Sequence, residues 1–241
     1  MMVHSWRGTV GVIKPTYRVG SLESFIRLLP DGIGVLPLYL NVRRGTEKEF
    51  LDAMTPIREK VAELAEAGVD VIHPEGAPPF MVRGFDGEAQ IVAEMEAEYG
   101  RPVYTSGMTH VEAMHALGIT RLVGVTYFSG DINERYADYF RQAGFNVLAM
   151  EGIPVPFQDV VKLSPYEVYA FVKKIFINCP HADGLYLLGS AWKVLGMVEM
   201  LEQDLGVPVV HPVPARVWAT QKRLRVRETR NGFGRLLAEM P

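Results

Sequence analysis

The chain has 241 residues, enough for one large domain or two of about 100 to 120 residues each, and with 48% hydrophobic and 22% charged residues it can bury a full core. A net charge of −3 and a pI near 6.1 leave no electrostatic reason to expect nucleic acid or an anionic membrane as partner. No apolar run reaches the ~20 residues of a membrane span, and residues 1–18 lack a signal peptide's apolar segment, so the expectation is a cytoplasmic protein.

Short runs of Val, Ile and Leu alternate with longer amphipathic stretches, the pattern of parallel strands joined by crossover helices. A strand is expected at 9–13, a helix at 21–28 and a second strand at 35–40. Thr46 with Glu49 is a capping box opening a helix over 47–67, which Gly68 closes. A strand at 69–73, an amphipathic helix over 87–99 stopped by Gly100, a short strand at 103–104 and a helix at 110–117 follow. From Ile119 the programme restarts: strand 122–126, helix 132–143, strand 146–149, a helix opened by Ser164-Pro165, strand 184–188, helix 193–204, strand 207–210 and a last helix near 215–224.

The restart is a repeat. Val10-Gly-Val-Ile13 recurs as Val123-Gly-Val125, the 69–76 segment as 184–190, and Arg101-Pro-Val-Tyr104 as Val207-Pro-Val-Val210, at an offset of about 110 residues. The fold class expected is α/β, with two pseudo-twofold-related, Rossmann-like parallel-sheet halves and the site in the cleft between them. Residues 1–118 with 225–241 form the first half and 119–224 the second, the C-terminal tail packing back on the first.

Ligands of open parallel sheets sit outside the carboxyl ends of the strands. That rule selects residues 14–17, with Lys14, Pro15 and Tyr17, residues 73–79, with His73, Glu75, Gly76 and Ala77, residues 105–107, and in the second half residues 127–130, with Tyr127, residues 189–192, with Gly189, Ser190 and Ala191, and His211. Glu75, flanked by Pro74 and Gly76, is a candidate general acid or base, against the alternative of a solvated loop or capping carboxylate. His73 and His211, each ending a strand in equivalent regions of the halves, are candidate proton donors or loop-holding histidines. Lys14 is suited to neutralising a substrate carboxylate. Tyr17 and Tyr127 can offer a hydroxyl or merely pack, and Ser190 can bind an anion or cap a helix. The single cysteine, Cys179, rules out an internal disulfide and a cysteine zinc site, and it lies remote from both glycine loops. His110 and His115 stand about 140° apart on a helix, poor for sharing a metal. No dinucleotide or Walker pattern is present. The basic stretch 222–227 reads as a solvated helix face.

These residues resemble the aspartate/glutamate racemase superfamily, and within it the arylmalonate decarboxylase and maleate cis-trans isomerase branch. The likeness rests on Asp131-Ile-Asn-Glu-Arg135, Ala182-Asp-Gly-Leu-Tyr-Leu-Leu188, Leu205-Gly-Val-Pro-Val-Val210 with Trp218 downstream, and Arg230-Asn-Gly-Phe-Gly-Arg-Leu236. It covers nearly the whole chain. The resemblance implies two α/β halves, no metal, no organic cofactor, a carboxylate-bearing substrate and a possible homodimer. In such enzymes one or two loop cysteines move a proton or attack the substrate, and the matching positions here are Gly76 and Gly189. The neighbouring donor positions are Ala77 and Pro78, which has no N–H to give, and two positions where a tyrosine would be expected are Phe50 and Phe128.

The expectation is a cofactor-independent enzyme acting on a small carboxylic acid by acid–base chemistry through a carbanion or enolate, a decarboxylase-like lyase without the cysteine. A cis-trans isomerase or hydrolase acting on a small carboxylate derivative, a non-catalytic carboxylate-binding module and a closed cleft with no ligand stay open beside it.

Overall fold

The computed structural model describes residues 4–17, 20–43, 46–128, 130–189 and 191–241. The chain divides into two compact units, Met1–Thr109 with Ala219–Glu228, and His110–Trp218 with Thr229–Pro241.

In the first unit, β1 (Gly8–Lys14), β2 (Ile33–Tyr39) and β3 (Val71–Pro74) form a parallel sheet in the order β2-β1-β3. Val10 faces Val35 on one side and Val71 on the other. Helices α1 (Ser21–Leu28), α2 (Glu47–Asp52), α3 (Met54–Glu66), α4 (Pro78–Met81) and α5 (Gly84–Tyr99) connect the strands or follow them, and α6 (Ser106–Ala116) starts in this unit and passes into the second at His110. The capping box of Thr46 and Glu49 is present. The single helix expected over 47–67 breaks at Ala53, because Pro56 has no N–H to donate back to the Asp52 carbonyl. The short strand expected at 103–104 is reduced to one parallel bridge between Ile72 and Val103. Ile57, Val61 and Leu64 of α3 pack with Val92 and Met95 of α5 over Ile13 and Ile72, each fully buried side chain contributing about 1.5–3 kcal/mol.

In the second unit, β4 (Arg121–Thr126), α7 (Asp131–Gln142), β5 (Asn146–Gly152), α8 (Pro165–Phe176), β6 (Gly184–Leu187), α9 (Val198–Leu205), β7 (Val209–Val210), α10 (Pro212–Arg223, whose residues from Ala219 on belong to the first unit) and α11 (Arg235–Glu239) follow in order. The parallel sheet runs β5-β4-β6-β7, so the first three strands repeat the order of the first sheet. Helix α9 starts later than expected, a 3-10 turn at Leu195–Met197 preceding it. Val123, Val125, Leu185 and Leu187 centre a core filled by α8 and α9.

Two polar devices recur in both units. Asp70 accepts from the Thr9 N–H at 2.7 Å and the Thr9 hydroxyl at 3.0 Å, and Asp183 accepts from the Thr120 N–H at 2.8 Å, the Thr120 hydroxyl at 2.6 Å and the Arg121 N–H at 2.6 Å. Glu96 accepts from the Val103 N–H and Glu202 from the Val209 N–H, both at 2.9 Å. The intervening Gly100 and Gly206 take the left-handed conformation that lets each helix stop four residues after its glutamate.

The tail corrects an expectation. Residues 229–241 belong to the second unit, where the Arg235 N–H donates to Glu202 at 2.8 Å and Trp218 Nε1 donates to the Pro241 carbonyl at 3.2 Å. Leu236 and Leu237 of α11 are buried there, which supplies an apolar reason for the tail to stay. In the basic stretch Lys222, Arg225 and Arg227 are exposed, while the Arg223 guanidinium lies 4.4 Å over the Tyr104 ring. Among the described residues no helix is long and apolar enough to cross a membrane.

Burial pushes the Asp183 carboxyl up, but the hydrogen bonds from Thr120 and Arg121 and the Arg121 charge outweigh it and hold the group below its ordinary value of 3.8. A depressed carboxylate stabilises the fold above its unfolded pKa, and that contribution is lost as pH falls through the lowered folded value. Asp183→Asn should cost about 1 kcal/mol at pH 7 and flatten the decline in stability below about pH 4, read by urea unfolding across pH.

Candidate active site

At the carboxyl end of the first sheet the Glu75 N–H donates to the Ile13 carbonyl at 2.8 Å, which sets Glu75 beside Lys14. Lys14 Nζ lies 3.7 Å from Glu75 Oε2 and donates to Ser21 Oγ, and the two charged residues are only 2% and 9% exposed. Charges this far from water are tolerated because they are paired, and removing one partner of such a pair typically costs about 3–5 kcal/mol. Pro15 follows directly, its carbonyl accepting from the Val42 N–H at 2.9 Å. Gly76, at φ 100°, donates its N–H to Ser106 Oγ at 3.1 Å, and Ser106 opens α6. Ala77 is buried at the start of α4, where Pro78 and Pro79 supply no N–H.

The other candidates of this unit lie differently. His73 is buried within β3 and donates from Nδ1 to the Tyr104 carbonyl at 2.7 Å, its ring stacked on Tyr104 at 4.6 Å. Tyr104 is in turn bonded through its hydroxyl to Thr220 Oγ1 at 2.5 Å. His73 is thereby fastened through a ring that packs behind it. Tyr17 is 66% exposed and stacks on Tyr39 at 5.6 Å.

In the second unit Tyr127, Gly189 and His211 come together. A Cβ built on Gly189 would fall 1.8 Å from Tyr127 Cε1. His211, 1% exposed, accepts from the Val213 N–H through Nδ1 at 3.2 Å, which puts the proton of the neutral ring on Nε2. Burial pushes His211 from 6.5 down to about 3; the nearby Gly189 backbone offsets only part of this and the Arg216 charge adds to it. Ala191 is half-buried, and Trp192 next to it packs edge-on against Tyr127 at 5.2 Å. Ser190 lies outside the described residues.

The expected equivalence of the two histidines is corrected by the sheet order. His73 is on β3, which pairs with β1 as β6 pairs with β4, whereas His211 follows β7, beyond β6. Ser106, inside the strand-end segment 105–107, holds the Gly76 N–H; sequence reasoning missed Ser21, seven residues after Lys14 at the start of α1, which accepts from its ammonium, and Asn133, whose Nδ2 donates to the Phe128 carbonyl at 2.8 Å. Only Asn133 carried a signal, its place in Asp131-Ile-Asn-Glu-Arg135. Among the described residues no group of three or more His, Cys, Asp or Glu is arranged to hold a metal.

A histidine with a lowered folded pKa contributes stability that is complete above about pH 6.5 and is lost as pH falls toward about 3. His211 should therefore stay neutral from pH 7 down to pH 5, its ring proton shifts flat by NMR. His211→Gln should remove the matching slope of stability against pH, seen in denaturant titrations over that range.

The model of the arylmalonate decarboxylase family matches residues 27–237. Arylmalonate decarboxylase of Bordetella bronchiseptica is 24% identical over 237 residues, 96% of this chain and 97% of its own. Maleate isomerase of Pseudomonas putida KT2440 is 26% identical over 200 residues, 80% of this chain and 79% of its own. Among solved structures, the maleate isomerase of Pseudomonas putida S16 superposes with a TM-score of 0.89 at 19% identity, covering 97% of this chain and 99% of that one. A Nocardia farcinica maleate cis-trans isomerase variant with a covalently bound succinylcysteine intermediate gives 0.87 at 20% identity, covering 96% and 98%. With the family match spanning most of its length and the strand-end loops built as described, the chain belongs to the arylmalonate decarboxylase family.

Proposed function

We propose that the protein is a cofactor-independent enzyme acting on a small carboxylic acid by acid–base chemistry through a carbanion or enolate, a decarboxylase-like lyase that works without a catalytic cysteine. The observation that carries this is the buried Lys14–Glu75 pair at the carboxyl ends of β1 and β3, in a member of a family named for arylmalonate decarboxylase. The only cysteine, Cys179, sits in the turn after α8, its N–H bonded to the Phe176 carbonyl. In the sequence resemblance the loop cysteines of the family fall at Gly76 and Gly189, so this reading gives a thiol no part.

Decarboxylation needs a site that favours loss of one carboxylate and stabilises the charge left behind, with an acid to deliver a proton afterwards. In this reading the Lys14 ammonium neutralises the carboxylate that stays and Glu75 moves a proton. His73 holds its strand through the Tyr104 carbonyl rather than touching substrate, and the Ala77 N–H, two residues after Glu75, is offered to a carboxylate oxygen. Isomerisation of a small unsaturated diacid is the second reading, favoured by the names of the maleate isomerase relatives.

Proton NMR in D2O with aryl- and alkylmalonates, maleate and related acids, amides and lactones tests the proposal. Loss of a malonate with deuterium appearing at its α-carbon is the expected result, and Glu75→Gln should lower turnover about 10²–10⁴-fold in protein that still unfolds cooperatively. Compounds that all come through unchanged overturn the enzyme reading; a raised melting temperature without consumption would then mark a binding module.

A further inference from the structure

Helices α3, α6, α7 and α10 end on the same pair of backbone bonds, in which a left-handed residue donates to the carbonyl three back and its successor to the carbonyl five back. At α3, α6 and α7 the left-handed residue is Gly68, Gly118 and Gly144. At α10 it is Arg225, at φ 56°, with its N–H on the Lys222 carbonyl at 3.3 Å and the Val226 N–H on the Gln221 carbonyl at 2.9 Å. Glycine takes that conformation at no steric cost and arginine does not, so the side chain at 225 stands against the preference of its backbone. Arg225 lines a cavity of about 410 Å³ together with Arg7, Leu224, Val226, Arg227 and Glu228, all in the first unit. The walls are fixed. The buried Gln221 amide donates to the Glu228 carbonyl at 3.2 Å and accepts from the Glu228 N–H at 2.8 Å. Leu224 fills the space beside Gly8, where a Cβ would come within 2.8 Å of it. The Arg7 N–H donates to the Gly32 carbonyl at 2.9 Å, while its guanidinium lies 4.4 Å over the Trp6 ring and pairs with Glu228. The Arg225 and Arg227 side chains are exposed, and neither has an ion-pair partner among the described residues.

We propose that this cavity binds a small molecule carrying a diphosphate. Its volume lies in the range of small-molecule sites. Three guanidinium groups against one carboxylate make it cationic, in a chain whose net charge is −3. Each planar fork matches phosphate oxygens two at a time. Glu228 engages one of the three, which leaves two free forks for two linked anionic groups. A singly charged carboxylate gains little from an exposed arginine, whereas two linked phosphoryl groups set several charges and acceptor oxygens against both forks. Leu224 and Val226 give the organic remainder an apolar wall. The cavity lies at the amino end of β1, because Arg7 precedes Gly8, and Lys14 ends the same strand roughly 20 Å away. A diphosphate held here is therefore not the substrate of the Lys14–Glu75 site, and the assignment stands apart from the reaction proposed above.

Isothermal titration of the protein with inorganic pyrophosphate at low ionic strength tests the site. Pyrophosphate should bind once per chain, bind more weakly as salt is added and raise the melting temperature. Arg227→Gln and Arg225→Gly should each weaken it about 10–100-fold, the loss expected when a charge-assisted contact is removed. Glu75→Gln, at the other end of β1, should bind it like the wild type. Arg225→Gly should also raise the melting temperature of the unliganded protein, because glycine suits the helix stop. A fall in that temperature would make Arg225 a packing residue and overturn its assignment to a ligand. Binding at full strength in both arginine variants places the anion elsewhere and overturns the site, as does the absence of binding at millimolar pyrophosphate. Succinate bound as tightly as pyrophosphate overturns the diphosphate, and a duplex oligonucleotide bound more tightly overturns the small molecule.

Discussion

A strand joining a parallel sheet from a helix arrives with backbone N–H groups that no neighbouring strand has yet reached, and an unpaired buried N–H costs as much as a lost hydrogen bond. In both units the answer is a carboxylate. Asp70 and Asp183, one residue or less ahead of β3 and β6, bind the start of the central strand beside them. Glu96 and Glu202 reach seven residues forward across a glycine helix stop to bind the next extended segment. These contacts fix where each strand enters its sheet, and a parallel register fixed at one end is fixed at the other. The loops at the carboxyl ends inherit their positions from carboxylates at the amino ends.

On that duplicated frame the loops have diverged. After β1 and β3 the chain places a buried ammonium against a buried carboxylate. After β4, β6 and β7 it places a tyrosine, a glycine and a histidine that burial keeps uncharged. The difference is one of dielectric as well as of residue type. A pair of opposite charges can be held away from water where each offsets the desolvation of the other, whereas a lone imidazole in the same dryness gives up its second proton. The loops after β1 and β3 therefore carry a charge pair, whereas His211 stays neutral near the buried Arg216, although the strands of the two sheets run in the same order.

The alternation of strands and helices, the glycine stops and the repeat were legible in the sequence because they are local, each set by periodicity or by a single conformational requirement. The strand-end rule also picked out Lys14, Glu75, Tyr127, Gly189 and His211. What it could not supply was anything decided by a distant neighbour. Tyr17 and Tyr127 both follow central strands, three residues after β1 and directly after β4, yet one stacks in the open on Tyr39 and the other is pressed against Gly189 and Trp192. Nothing local in the tail chooses between the two units, and its leucines and Glu202's second oxygen hold it on the second rather than on the first. The break in the helix at Ala53 was visible in principle, since Pro56 lies in the sequence, but the capping box and the apolar spacing around it outweighed one proline in the reading.

Gly189 shows how a glycine can be mistaken for an absence. Its positive φ already disfavours any other residue, and the Tyr127 ring removes the space a side chain would need. A side chain at 189 and the ring at 127 therefore exclude each other. At Gly76 the backbone imposes the same preference, but Pro15 leaves room for a small adjustment and no ring has moved in. Of the two glycine loops, only the second has the space beside its glycine filled by an aromatic ring, and that ring is itself held edge-on by Trp192.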